Sequence, residues 1–577
     1  MNISRIEPPC WFSRIKTEEL QILVYGDDVK NASVETNIPN DGTVVSSETE
    51  NSYLLLSLKL KDNIQEETYE ITLKKGHETK KIPYEFKERR KWEACKATIT
   101  NEDVVYLLMP DRFACANDVV NESVNRKNPN VWHGGNIKGM IQALDYLQDL
   151  GVTAVWHTPI FENSEYHGYS ITNHYGIEPR FGTLEDYQLF VKEAHKRNIK
   201  VVMDMVFNHC SIEHPWVEQL PMIGWLNGTE GEHIPTNYKI TTIFDPYKSF
   251  YDKNATVRGW FTDKMPDINI EDQSVYTYLK QMTMWWIETA GIDAFRMDTY
   301  LYSNMDKMIE WQNEISKNYP GLSVIAETWV PEAAYTAKIQ NEVYGKLNEN
   351  SSLVVMDFAF QKKLEQTFDR TILYDKDAQM YHHFIYDFLY KDAHNTLVFI
   401  DNHDLERWFS RIRSKAKLKQ ALAILLTSPR IPQIYYGTEW MFSGDGEGKG
   451  DGNYRMDAFD ALNDWEKWQK DEVWSYLRNL LHWRKTSKAV TKGSMKHFIP
   501  QNGVYVYFRS AEDETIMVVS NNTSKSARID LLHYAEVLDN WILGVDVASG
   551  LEVQLDVDYM NIKGHQTLIL ELKRNLI

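Results

Sequence analysis

Cysteine is scarce in this sequence. Four occur in 577 residues (Cys10, Cys95, Cys115 and Cys210), and none forms a CxxC pair. That spacing excludes a zinc ribbon and a disulfide scaffold and leaves free, mostly buried thiols. Long apolar runs are lacking too: no stretch of 18 or more exists, so no membrane span is expected. Positive charge falls short of negative, with 63 Lys and Arg against 82 Asp and Glu, a net charge of −19. An acidic surface repels phosphate backbones, which argues against a nucleic-acid partner. The densest basic cluster, Lys87, Arg89, Arg90 and Lys91, reads as a solvated strand end or linker. The opening Met1-Asn2-Ile3-Ser4-Arg5-Ile6-Glu7-Pro8-Pro9 has no apolar stretch of the secretory kind. The expected location is cytoplasmic, or periplasmic where a leader has been removed. No P-loop and no EF-hand loop is present; the Gly- and Asp-rich Ser443 to Gly452 matches neither and reads as a mobile rim loop.

What is plentiful is ordinary, with one exception. Hydrophobic residues at 43% and charged residues at 25% describe a globular chain, and at roughly 100–200 residues per domain the length implies about two to four domains. The exception is aromatic: 18 Trp, 32 Tyr and 22 Phe make up 12%. Aromatics are core material first, and a surplus can also line a cleft where flat apolar faces of a ligand stack.

The patterning divides the chain. Leu20 to Tyr25, Tyr53 to Leu60, Tyr69 to Leu73 and Ile82 to Phe86 are short β-rich runs broken by polar turns, so residues 1–95 are expected to form a β-sandwich. The period then changes. Val104–Met109, Ala154–Trp156, Val201–Phe207, Ala294–Asp298, Leu322–Ala326, Leu353–Met356, Leu397–Ile400 and Gln433–Tyr436 are apolar strands, with helical patterns between most of them. Ile137, Met140, Ile141, Leu144 and Leu147 predict a helix stopped by Gly151. Thr183-Leu184-Glu185-Asp186 reads as a helix start, and Val275, Leu279, Met282 and Trp286 predict a helix closed by Gly291. Repeated βα units predict a (β/α)₈ barrel over 96–490, with an inserted loop domain at about 210–270. From Gly493 the strand period returns: Val504, Val506 and Phe508 alternate, as do Leu551, Val553, Leu555 and Val557, and Leu568, Leu570 and Leu572. Residues 491–577 are therefore expected to form a second β-sandwich.

In such a barrel chemistry sits at the C-terminal ends of the strands. Those ends carry Asp204 and His209, Arg296 and Asp298, Glu327, and His403 and Asp404. Arg296 and Asp298 are two apart and point to the same side of their strand; an adjacent Arg favours an ionised carboxylate. Glu327 ends the next strand and can face Asp298 across a bound sugar. One ionised and one proton-holding carboxyl are what retaining glycoside hydrolysis needs. Single charged residues at strand ends are often structural ion pairs, and Asp204 tied to Arg296 reads as one.

These segments carry a resemblance. Asp204 to His209, Gly291 to Asp298, Ala326-Glu327-Thr328-Trp329 and Phe399 to Asp404 resemble, in order, the four signature segments of the α-amylase family, glycoside hydrolase family 13; Tyr166-His167-Gly168-Tyr169 and Ile431 to Gly437 match further family segments. The resemblance implies Asp298 as nucleophile, Glu327 as general acid/base and Asp404 as transition-state stabiliser. It also implies Arg296, His209 and His403 supporting the reacting sugar, Tyr169 stacking on it, and His167 nearby. Met265-Pro266-Asp267-Ile268-Asn269, the N-terminal β-domain and Trp329 beside the acid are similar to the neopullulanase and cyclomaltodextrinase branch, which acts on α-1,4-linked maltooligosaccharides, cyclodextrins or pullulan. Ile6 to Phe12 and Asp298-Thr299-Tyr300 resemble starch-degrading members from Bacteroides-like bacteria. Relatives with this N-terminal domain are often dimers, so the resemblance implies a homodimer.

Two departures bear on calcium, which is not required by the chemistry. Many family members carry Lys and His where this chain has Leu301 and Tyr302, and that His lends its carbonyl to calcium. The loop from Asp111 to Asp118 is shortened; Asn117 and Asp118 could bind calcium through oxygens, or be solvated loop residues. The leading expectation is a retaining α-glucan hydrolase with some transglycosylation. A transglycosylase or isomerase on the same scaffold, and a non-catalytic carbohydrate-binding relative, are the alternatives; the last is expected to have lost an acid, and this chain keeps all three.

Overall fold

The computed structural model describes residues 1–17, 19–47, 52–93, 97–116, 124–368, 375–444 and 450–574. Eight parallel strands close into a barrel: Val105–Leu108, Ala154–His157, Lys200–Val206, Ala294–Asp298, Ser323–Ala326, Ser352–Met356, Thr396–Val398 and Ile431–Tyr435. Each pairs with the next in sequence, and the last pairs with the first. Nearly every strand residue is buried, because the helices outside and the packed interior leave a parallel sheet no wet face. The expected strands all lie within a residue or two of these.

Local signals set the helices as expected, with one difference. Thr183 caps Leu184–Lys196 in a full capping box with Asp186. Gly291, at φ +78°, ends the 18-residue helix Gln273–Ala290 in the left-handed conformation that a Cβ disfavours. The pattern read as one helix from Ile137 is two, Ile137–Gln142 and Leu144–Leu150, joined at Ala143.

The N-terminal residues form two four-stranded sheets. One contains Asn2–Glu7, Leu20–Asp27, Tyr53–Leu60 and Asn40–Ser46; the other Trp11–Phe12, Glu78–Lys87, Thr68–Lys75 and Ser33–Thr36. They dock on the helix Gln273–Ala290: Gln281 exchanges hydrogen bonds with the backbone of Gln21 (2.8 and 2.6 Å), Tyr278 donates to Glu7 (2.9 Å), and Trp285 donates to the Cys10 thiol (3.4 Å). This explains why that helix is buried on nearly every side. Cys10 and Cys210 are buried, Cys115 is half-buried, and all three are free; Cys95 lies outside the described residues.

The C-terminal sheet has six strands, with Val504–Ala511, Glu514–Asn521 and Gln566–Lys573 at its centre. Its alternation divides two cores. Val506, Phe508, Met517, Val519, Leu568 and Leu570 pack in the domain's own core, while Tyr505, Tyr507, Val518 and Ile569 join the barrel's. The alternation at Leu551 to Val557 is only partly realised. The strand there is Glu552–Gln554; Leu555 is in the core and Val553 packs against it half-buried, while Leu551 and Val557 are exposed. Among the described residues no helix is long and apolar enough to cross a membrane.

Candidate active site

Pairing register builds the site. In the third and fourth barrel strands Asp204 and Arg296 are direct Cα partners, and both side chains are fully buried. Arg296 Nη1 lies 3.1 Å from Asp204 Oδ1 and 2.7 Å from Asp298 Oδ1, and Nη2 lies 2.7 Å from Glu327 Oε1. One guanidinium thus holds the two carboxylates of adjacent strand ends on its two terminal nitrogens. Asp204 also accepts from Trp156 Nε1 and the Tyr169 hydroxyl, both at 2.9 Å. It is the supporting ion-pair partner that its position predicts.

Thr299 is the hinge between the acids. Its φ is +45°, a conformation that costs a β-branched residue about 1–3 kcal/mol and persists where surrounding structure dictates it. The return is visible: its N–H donates to Glu327 Oε2 (2.8 Å) and its hydroxyl to Asp298 Oδ2 (3.0 Å). Nothing in the residue type announces this.

Asp404 follows the seventh strand. Its Oδ1 accepts from Arg455 Nη2 at 3.0 Å, and its Oδ2 lies 3.1 Å from His403 Nε2. Arg455 also donates to the His403 carbonyl (2.9 Å) and to the Tyr166 hydroxyl (3.0 Å). Arg112 in turn donates to the Arg455 carbonyl at 2.6 Å. Arg455 was invisible in the sequence, because it lies beyond the loop after the eighth strand, where no periodicity marks a buried cation.

The three acids meet in a cavity of ≈ 710 Å³ that His167, Tyr169, His209, Trp329 and Arg455 also line. Arg296 and His403 lie beneath its floor, fully buried. Tyr169 is stacked on His403 (centroids 5.4 Å, 8° between planes) and against His167 (5.9 Å, 29°). Trp329 is half exposed and stacked on Phe358 at 5.0 Å. His209 stacks on Phe261, which meets Tyr238 and Tyr302 edge-on. Tyr238, Phe261, Leu301 and Tyr302 also line the cavity, so its far wall is aromatic and apolar. The sequence marked Leu301 and Tyr302 only as departures from the family pattern. The inserted segment reaches this wall because Asp267, in the Met265–Asn269 stretch, pairs backbone to backbone with His209, and its carboxylate accepts from Asn227 at 2.7 Å.

Burial pushes the Glu327 carboxyl up to about 8; Arg296 opposes that shift, and Asp298 and Asp404 add to it. Burial also raises Asp404, but His403, Arg455 and Arg296 outweigh it and hold that carboxyl below the usual range. Burial lowers His209 to about 4 and His403 to about 3, so both imidazoles are neutral at pH 7. His209 Nε2 has no hydrogen-bond partner among the described residues. Asn117 and Asp118 lie outside those residues. Among the described ones no group of three or more His, Cys, Asp or Glu side chains is arranged to hold a metal ion.

An acid-lined cleft at the C-terminal rim of a (β/α)₈ barrel, framed by two β-domains, defines a class of carbohydrate-active enzyme. The chain belongs to the alpha-amylase family: residues 107–516 match its catalytic domain, residues 5–90 the cyclomaltodextrinase N-terminal domain, and residues 495–571 the cyclo-malto-dextrinase C-terminal domain. It is similar to alpha-amylase 3 of Dictyoglomus thermophilum, 28% identical over 428 residues that cover 67% of this chain and 80% of that protein. It is also similar to the cyclomaltodextrinase of Thermoanaerobacter pseudethanolicus, 27% identical over 447 residues, covering 75% and 72%. A solved cyclomaltodextrinase, 19% identical, has the same fold, with a TM-score of 0.66 over 96% of each chain. Family and relatives make this chain a glycosidase or transglycosylase.

Proposed function

We propose that the protein is a retaining α-glucan hydrolase that cleaves α-1,4-glucosidic bonds in maltooligosaccharides, cyclodextrins or pullulan. The observation that carries this reading is the shared Arg296 guanidinium, 2.7 Å from both Asp298 and Glu327. A single cation serving both acids supports the short carboxylate spacing of retention, about 5–5.5 Å, over the wider gap of inversion. Asp298 attacks the anomeric carbon while Glu327, protonated because it is buried, delivers its proton to the leaving oxygen. Water then enters, gives a proton back to Glu327 and releases the sugar with its configuration kept. Asp404, held ionised by Arg455, stabilises positive charge developing on the ring. His209 Nε2, without a hydrogen-bond partner among the described residues, is left to meet a sugar hydroxyl. No cofactor takes part in these steps.

The apolar wall of Leu301, Tyr302 and Phe261, with Trp329, supports a second activity. A sugar ring stacked there can replace water as the acceptor, which gives transglycosylation. The cyclomaltodextrinase relative brings cyclodextrin ring-opening into the proposal.

The test is product analysis with pullulan, β-cyclodextrin and maltotriose, with the anomer formed first read by NMR. Retained α-configuration and loss of turnover in Asp298→Asn and Glu327→Gln are expected. A first-formed β-anomer, or parent-rate cleavage by either variant, sinks the mechanism; no product from any substrate favours the non-catalytic reading.

A further inference from the structure

The ring of His167 faces the cleft, but its nitrogens do not serve it. Nδ1 accepts the Tyr169 backbone N–H at 3.1 Å. An accepting Nδ1 is unprotonated, so the ring's proton is on Nε2, and that atom lies 2.6 Å from Glu165 Oε2. Both hydrogen-bonding positions of the imidazole are therefore used within the protein. What His167 offers the cleft is a ring surface.

Glu165 is anchored in its turn. Its Oε2 also accepts from Ser170 Oγ (3.0 Å), its carbonyl accepts from Gly168 N–H (3.1 Å), and its own N–H donates to Asn163 Oδ1 (3.0 Å). Lys264 Nζ, from the inserted segment, stands 4.0 Å from Oε1. The carboxylate thus closes a tight turn over residues 165–170 and presses the His167 ring against Tyr169. Tyr169 lies against His403 on its other side, and its hydroxyl reaches both His403 Nε2 (2.7 Å) and Asp204 (2.9 Å). Three rings form one pile, fixed at the inner end by Asp204 and Arg296; at the outer end Glu165 holds His167 Nε2, and Tyr166 meets the His167 ring edge-on.

We propose that Glu165 is a positioning residue of the active site: through its hydrogen bond to His167 Nε2 it fixes the tautomer and plane of that imidazole, and so the placement of Tyr169 beside Asp298. The inference rests on the proposed reading of the cleft and adds a residue to it. Neither the sequence motif nor the family resemblance assigns Glu165 a part. A ring held from both sides meets a sugar without reorganising, and a loosened one costs rate even where no contact to the reacting atoms is lost.

The experiment is a double-mutant cycle on the full chain, with kcat and KM measured on maltotriose. Glu165→Ala is expected to lower kcat about tenfold, with KM changed less and the melting temperature within about 2 °C of wild type. Glu165→Gln, whose amide oxygen accepts the same N–H, restores most of the rate. The double variant Glu165→Ala/His167→Ala is no slower than His167→Ala, because Glu165 acts only through that ring. Wild-type kinetics in Glu165→Ala, losses that multiply in the double variant, or equal losses with Ala and Gln overturn the proposal. A second readout needs no turnover: ¹⁵N NMR of histidine-labelled protein should show His167 with Nε2 protonated and Nδ1 bare, a signature that averages out in Glu165→Ala. If wild type cleaves no α-glucan, the function fails, while an unchanged signature in Glu165→Ala still sinks the pair.

Discussion

At the scale of the residue, burial raises the Glu327 carboxyl, while His403, Arg455 and Arg296 hold Asp404 down. Glu327 acts as an acid only while it holds its proton, so the active form lies below its pKa. Burial moves that pKa from 4.5 to about 8, and kcat/KM is expected to fall as pH rises through about 8 rather than near 4.5. A pH–rate profile whose alkaline limb sits near 5 would contradict this. The same shift has a stability sign. A folded-state pKa above the unfolded one means that the proton stabilises the fold; the contribution is complete below pH 4.5 and is lost as pH climbs through about 8. Glutamine mimics the protonated acid, so Glu327→Gln should melt above wild type at about pH 8.5, and the two should converge near pH 5 in calorimetry. Arg455→Met leaves Asp404 without its arginine partner and should lower kcat by roughly 10²-fold, with a smaller change in KM. The acids were legible in the sequence because each ends a strand that periodicity marks. Arg455, Thr299 and Glu165 were not, because they sit on loops, where no period says which side chain turns inward.

At the scale of the element, the strands were legible to within a residue or two, and caps such as Thr183 with Asp186 marked helix starts. Turns were the weak point. Gly168 shows why: its φ is +91°, and a Cβ there would stand 2.3 Å from the Pro159 carbonyl oxygen. The tight approach belongs to another segment, so no local pattern reveals it. Gly168→Ala should cost about 1–3 kcal/mol and lower kcat, since the turn bearing His167 and Tyr169 must shift. Denaturant unfolding together with steady-state kinetics checks both effects; a variant of wild-type stability and rate would mean that the turn adapts. The same limit applies at Leu551 to Val557, where alternation in sequence did not become a full strand.

At the scale of the whole molecule, the barrel does not stand apart from its neighbours. The helix Gln273–Ala290 is buried on almost all sides because it serves two surfaces, the barrel strands and the N-terminal sheet. Removing residues 1–90 uncovers Tyr278, Trp285 and the Gln281 contacts, and exposed apolar patches of this kind drive association. The truncated chain is expected to aggregate or to lose several degrees of melting temperature, even though none of the described residues among the first ninety lines the cleft. Light scattering and thermal melts check this; a monodisperse fragment with full thermal stability would show that the N-terminal sheets are dispensable. The C-terminal sheet is bound in the same manner, one face to its own core and the other to the barrel.

The shared guanidinium has a further consequence along the proposed path. Once Asp298 is esterified to sugar it carries no charge, and Arg296 is left with Asp204 and Glu327. The anion that discouraged Glu327 from ionising has gone, and the cation beside it is less divided. Glu327 becomes a weaker holder of a proton, and so stays ionised until, as the base, it takes one from the attacking water. Hydrolysis of the intermediate restores the Asp298 charge and with it the acid. The two half-reactions thereby reset one another, with no moving part other than charge.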